Sequence, residues 1–251
     1  MMELAIAVLV FGGAFAVLEV AFQVGRRSKP KEAPPQLATI QGAMLGLLGL
    51  LLGFSFSGAT GRFIDRQDVL MREANAMGTA YLRADLLDEP HATTLRNAVR
   101  SYCDARIALF ERQADDDANA IRRSLGDLQA AAWKAGVDGA KAAGGPVPGI
   151  VLPPLNEMFD LLATRDNMVQ RHIPPLVLAL LCGCAAVSIG VIGYACGLQR
   201  KRGIGTVGAF AILVAVALWV TIDFDYPRRG VIRLSDQPLR EVRAEMDPLP
   251  N

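Results

Sequence analysis

The chain has 251 residues, 52% of them hydrophobic, and a mean hydropathy of +0.29, which is too apolar for an ordinary soluble domain. Its 26 Lys+Arg against 25 Asp+Glu leave a net charge of +1, so nothing supports a broad basic surface for nucleic acid. The two histidines, His91 and His172, lie far apart, and Cys182, Cys184 and Cys196 share one apolar stretch, so neither a transition-metal site nor a disulfide framework is expected.

Crossing the hydrocarbon as a helix takes roughly 20 apolar residues, because every backbone amide must be bonded within the segment. Four stretches qualify, about 4–24, 37–57, 174–198 and 204–222. The first follows only Met1-Met2-Glu3, without a basic n-region or a small-residue cleavage site, and reads as a retained anchor and not a signal peptide. Its one charge, Glu19, sits close enough to Arg26 to snorkel to the interface. In span two, Gly42, Gly46, Gly49, Gly53 and Ser57 follow at spacings of three and four and lay one strip of small residues along a helix face. Such a strip admits two readings. It lets helix backbones pack closely in lipid, or it lines a pore in an oligomer, with Thr39, Gln41, Ser55 and Thr60 offering hydrogen bonds beside it.

The segment 58–173 reads as an extramembrane helical bundle, rich in Ala, Leu, Arg and Asp, with no alternating β-branched run. Amphipathic stripes appear at Phe63, Leu70, Ala74, Met77 and Tyr81, and at Leu95, Val99, Tyr102, Arg106 and Leu109 when the long arginine stem is counted as apolar. Two more run through Ile121, Leu125, Leu128 and Ala132, and through Leu155, Phe159, Leu162 and Val169. Glu157 and Asp160, three apart, share a face and can converge with Glu73 across the bundle, with Asn75, Asn156 and Arg165 nearby. The preferred reading is a polar network that fixes the bundle's register; the other is a hard-cation site or an acid and base pair. No nucleophile elbow surrounds Ser124, Ser188 or Ser235, and no phosphate-cradling glycine loop is present. No enzyme activity, cofactor or bound metal is expected.

Span three repeats the small-residue idea with Gly183, Ala186, Gly190, Gly193 and Gly197. Charge crowds the membrane ends after span two, at Arg62 and Arg66, and after span four, at Asp223, Asp225, Arg228 and Arg229. These residues form either interfacial salt bridges and lipid contacts or an electrostatic vestibule for an ion. The chain thus divides into a transmembrane hairpin 1–57, the bundle 58–173, a second hairpin 174–222 and a membrane-proximal tail 223–251. Lys and Arg cluster in the two short loops, at Arg26, Arg27, Lys29 and Lys31 and at Arg200, Lys201 and Arg202. Placing these loops in the cytoplasm puts the N-terminus and the bundle outside.

The runs GLLLGFSFSGATGRFIDRQDVLMREANAMGTAYLRADLL, LNEMFDLLATRDNMVQRHIPP and IDFDYPRRGVIRLSDQPL resemble the bacterial bestrophin-like domain family over nearly the whole chain. Its motif positions fall on Arg62, Arg66, Glu73, Asn75, Tyr81, Asn156, Glu157, Asp160, Arg165, Pro174, Asp223, Asp225, Pro227, Arg229 and Gly230. The resemblance implies a multi-pass protein of the bacterial plasma membrane, with the lipid bilayer and further copies of the chain as partners and a small ion as cargo. It is similar to the bestrophins, anion channels with four spans per subunit and five subunits around a pore lined by span two. Bestrophins keep both termini and the inserted domain in the cytoplasm, the reverse of what the basic loops here predict, and only the short FSFSG stands where their aromatic neck would be. A membrane-anchored sensing module, with the bundle binding a ligand or partner, is the alternative function.

Overall fold

A computed structural model describes residues 2–28, 35–111, 116–201, 204–226 and 231–247; Lys29, Lys31 and Arg202 of the basic loops lie outside them. Among the described residues the regular structure is helical throughout: α1 (Met2–Arg27), α2 (Pro35–Arg83), a 3-10 turn (Ala84–Leu86), α3 (His91–Glu111), α4 (Asp116–Ala143), α5 (Val147–Val169), α6 (Pro175–Leu198), α7 (Ile204–Asp225) and α8 (Gln237–Glu245). The four predicted spans are present as Ile6–Arg27, Pro175–Leu198, Gly205–Asp225 and the apolar part of Gln36–Leu86. Pro175 opens α6 at a helical position whose N–H would have no partner in any case, and Pro174 before it is extended, at φ −54° and ψ 134°. Helix α2 runs through Gly58 and Gly61 without a break, 49 residues in all.

The chain divides into two compact units, Met1–Ile64 with His172–Arg233 and Asp65–Arg171 with Leu234–Asn251. The first holds the apolar helices. Its core gathers Leu48 of α2, Leu181, Ala185 and Ile189 of α6, and Val214 and Leu218 of α7, with Val10, Ala14, Val17 and Leu18 of α1 packed against them. Glycines set how closely α1 and α6 approach. A Cβ at Gly193 would stand 2.7 Å from the Leu18 carbonyl oxygen, and one at Gly197 would stand 2.9 Å from the Gly25 Cα and press on the Phe22 carbonyl. Only glycine fits this seam, which brings backbone against backbone where lipid supplies no hydrophobic force to hold helices together.

The second unit is the bundle. The predicted stripes turn inward: Leu70 and Met77 of α2, Leu95, Val99 and Tyr102 of α3, Leu125 and Ala132 of α4, and Leu155 and Leu162 of α5 are buried in one core. Arg106, counted in the sequence for its apolar stem, is buried whole, guanidinium included. Residues from Leu234 onward belong to this unit and not to a single tail with 223–233. Helix α8 lays Leu239, Val242 and Met246 into the core, spaced three and four apart on one face. The Tyr81 hydroxyl donates to the Met246 carbonyl at 2.8 Å, and Arg243 Nε donates to Asp104 at 2.5 Å.

Gly197→Ala should overpack the α1–α6 seam at a cost of roughly 1–3 kcal/mol and lower the thermal midpoint in detergent. Gly46→Ala, at a position where a new Cβ meets nothing within 4 Å, should leave the midpoint unchanged or raise it. Equal destabilisation by both substitutions would contradict this packing.

Candidate functional site

In span two, the helix period separates two faces of α2. Leu48 and Ala59 are buried and Met44, Leu51, Leu52 and Ser55 half-buried on one face, while Gly42, Gly46, Gly49, Leu50, Gly53, Phe54 and Ser57 are exposed on the other. A Cβ at Gly42, Gly46, Gly49 or Gly53 would have no neighbour within 4 Å. Among the described residues, these four glycines therefore meet no other part of the chain. Exposed apolar side chains stand beside this strip, among them Leu47, Leu50, 56% exposed, and Phe54, 69% exposed. Phe56 turns away and meets Phe224 of α7 edge-on, with ring centroids 5.6 Å apart, and Phe63 meets the same ring at 5.5 Å.

At the end of α7 two buried carboxylates tie chain segments together. Asp225 accepts hydrogen bonds from Arg62 Nε at 3.0 Å and from the Ile173 amide at 2.8 Å, and His172 Nδ1 lies 3.3 Å from its second oxygen. The His172 ring stacks on Tyr226, with centroids 4.4 Å apart. One carboxylate thus joins α2, the entry to α6 and the end of α7, and its partners offset the cost of burying its charge. Asp223 accepts from the Val231 and Ile232 amides at 3.0 and 2.8 Å, which holds the chain after α7. Arg228 and Arg229, with Pro227 and Gly230, lie outside the described residues.

Arg66 belongs to the bundle, where Nη2 donates to the Met168 and Arg171 carbonyls at 3.2 and 2.7 Å. It therefore serves the orphan carbonyls at the end of α5. Glu73 and Arg106 are both fully buried, with Arg106 Nη2 2.8 Å from Glu73 Oε2 and Nε bonded to the other oxygen. Burial works to lower the Arg106 pKa, but the hydrogen bond and charge of Glu73 outweigh it and the net direction is up. Tyr102 beside the pair is pushed above its ordinary range, first by burial and then by the Glu73 charge. Arg165 is buried too, with its guanidinium 5.3 Å from the centre of the Phe110 ring.

The other predicted network members lie elsewhere. Asn156 Nδ2 donates to Asp160 one turn along α5, at 2.7 Å, on the exposed surface. Asn75 and Glu157 line a cleft of about 360 Å³ between α2 and α5, together with Arg72, Thr79, Arg83, Pro153 and Pro154. Sequence reasoning missed Arg106 as the partner of Glu73, and His172 with the Ile173 amide as partners of Asp225. A buried carboxylate facing an arginine at a core position of the next helix was the available signal for the first; the second has no signal in local spacing.

A family description, the Bestrophin-like domain, matches residues 8–239. Solved structures of a bacterial bestrophin homologue from Klebsiella pneumoniae share the fold. A tryptophan-to-alanine variant superposes with a TM-score of 0.71 at 12% identity, over 98% of this chain and 95% of that one. An aspartate-to-alanine variant gives 0.69 at 11% identity over 98% of both chains. A structure described as a membrane protein with a proline-to-alanine substitution gives 0.66 at 11% identity, over 98% of this chain and 97% of that one. No curated protein sequence matches the chain.

Glu73→Ala should destabilise the bundle by about 3–5 kcal/mol, because it leaves the Arg106 guanidinium buried without its counter-charge. Replacing both residues by methionine should cost much less. Denaturant unfolding of the two variants checks this, and a double substitution as damaging as the single one would contradict it.

Proposed function

This chain belongs to the Bestrophin-like domain family, and from that footing we propose that it assembles into an oligomeric membrane ion channel with α2 of each copy around the path. The observation that carries this reading is the open face of α2. Among the described residues a Cβ on any of the four glycines would meet nothing within 4 Å and Ser57 beside them is exposed, while Leu48 and Ala59 on the opposite face are buried. In an oligomer, a ring of such faces leaves room for an ion along the glycines, and Leu50 and Phe54 supply an apolar constriction that can gate by dewetting. The anion preference comes from the family resemblance alone.

The carboxylates nearest the end of span four do not compete with that preference in a simple way. Asp225 is neutralised by Arg62 and Asp223 is occupied by backbone amides. For orientation, the basic loops support a cytoplasmic position for themselves and an extracytoplasmic one for the bundle. A cysteine at the exposed Asp138 should then react with an impermeant reagent added to intact cells whose other cysteines have been replaced. Labelling only after permeabilisation would reverse the orientation.

The channel reading is tested by single-channel recording in planar bilayers, with Gly49→Leu as the variant and its assembly checked separately. Wild type should give unitary currents that shrink or vanish in the intact variant oligomer, and reversal potentials under a salt gradient should favour anions. Verified reconstitution that stays silent across voltage, pH and calcium would overturn the reading.

A second reading, a bundle that binds a ligand, is favoured by the cleft between α2 and α5. It is compatible with a channel.

A further inference from the structure

The cleft in the bundle owes its form to two prolines. Pro153 and Pro154 stand inside α5 without N–H groups, so the carbonyls four residues earlier, at Gly149 and Ile150, lose their helical donors. Arg83 takes up one of them: its Nη1 donates to the Ile150 carbonyl at 2.7 Å. That bond fixes a guanidinium at one end of the cleft. Arg72, Asn75, Thr79 and Arg83 follow each other on α2 at spacings of three and four and so share one wall.

The far wall carries Glu157, 3.6 Å from Arg72, with both side chains more than half exposed. So long and open a pair contributes little to stability and is readily exchanged for another partner. The lining then holds two guanidiniums, one carboxylate, a carboxamide and a hydroxyl, a formal excess of one positive charge. Guanidinium forks recognise carboxylates with two parallel hydrogen bonds. Arg72 and Arg83 are separated by roughly 16 Å of helix axis, but their guanidiniums stand at Glu157 and at the Ile150 carbonyl, which are only about 10 Å apart along α5.

We propose that this cleft is a binding site for a small organic diacid, one carboxylate on Arg72 and the other on Arg83, with Asn75 between them. An amino group on the diacid would meet Glu157, whereas a plain diacid would be opposed by it. The site lies wholly within the bundle and does not rest on the channel reading.

Titration calorimetry on the full chain in detergent tests this, with succinate, glutamate and sodium chloride at matched ionic strength. Saturable binding of succinate or glutamate, and none of chloride, is expected. Arg72→Gln should weaken binding by roughly tenfold. Glu157→Gln should strengthen succinate and weaken glutamate, a reversal that a merely structural role would not produce. Both positions are exposed surface, and unchanged thermal midpoints will show that the variants fold. Saturation by neither acid, or binding that both substitutions leave unchanged, overturns the proposal.

Discussion

A methyl group added at Gly193 or Gly197 has nowhere to go, while one added at Gly42, Gly46, Gly49 or Gly53 touches nothing among the described residues. In hydrocarbon this difference governs how the apolar helices arrange themselves, since lipid tails are as apolar as leucine and only close backbone approach or polar contact holds helices together. Gly193 and Gly197 of α6 are used up by α1. Those of α2 are left over, on the face opposite Leu48 and the rest of the shared core. The channel proposal rests on that exposed strip of small residues.

The bundle solves a different problem, that of holding charge in a small core. Glu73 and Arg106 neutralise each other with no exposure to solvent, and each makes the other's burial tolerable, since removing either leaves an uncompensated buried charge. Helix α8 closes the same core, where Leu239 and Met246 are buried and the Cys103 thiol, pushed up to about 12 mainly by burial, faces the Leu239 carbonyl at 3.6 Å. At the end of α7, Asp225 gathers donors from two other chain segments. In both places a carboxylate is satisfied from within its own unit.

The spans and the bundle's stripes were legible because apolar length and the 3.6-residue period are properties of the sequence itself. Leu95, Val99, Tyr102 and Leu109 turn inward as their spacing predicts. The two glycine strips were not separable in the same way. Their spacings are alike, and only the presence of α1 against α6 distinguishes them. Arg106 was hidden by its stem, which fits an apolar stripe whether or not a carboxylate waits beneath it. Grouping Asn156, Glu157 and Asp160 with Glu73 followed from helix phase, yet phase fixes only the face along α5, not which neighbour that face meets. Helix α8 was passed over because its nine residues are too short for periodicity to announce and because charge dominates its exposed side.

The channel proposal requires that the glycine face of α2 meets water. A single cysteine introduced as Gly49→Cys, in a chain whose native cysteines have been replaced, can be exposed to a small water-soluble thiosulfonate in sealed proteoliposomes. The account predicts rapid modification that larger reagents of the same chemistry do not achieve. A residue that reacts only with lipid-partitioning maleimides would place the strip against lipid or another helix and contradict it.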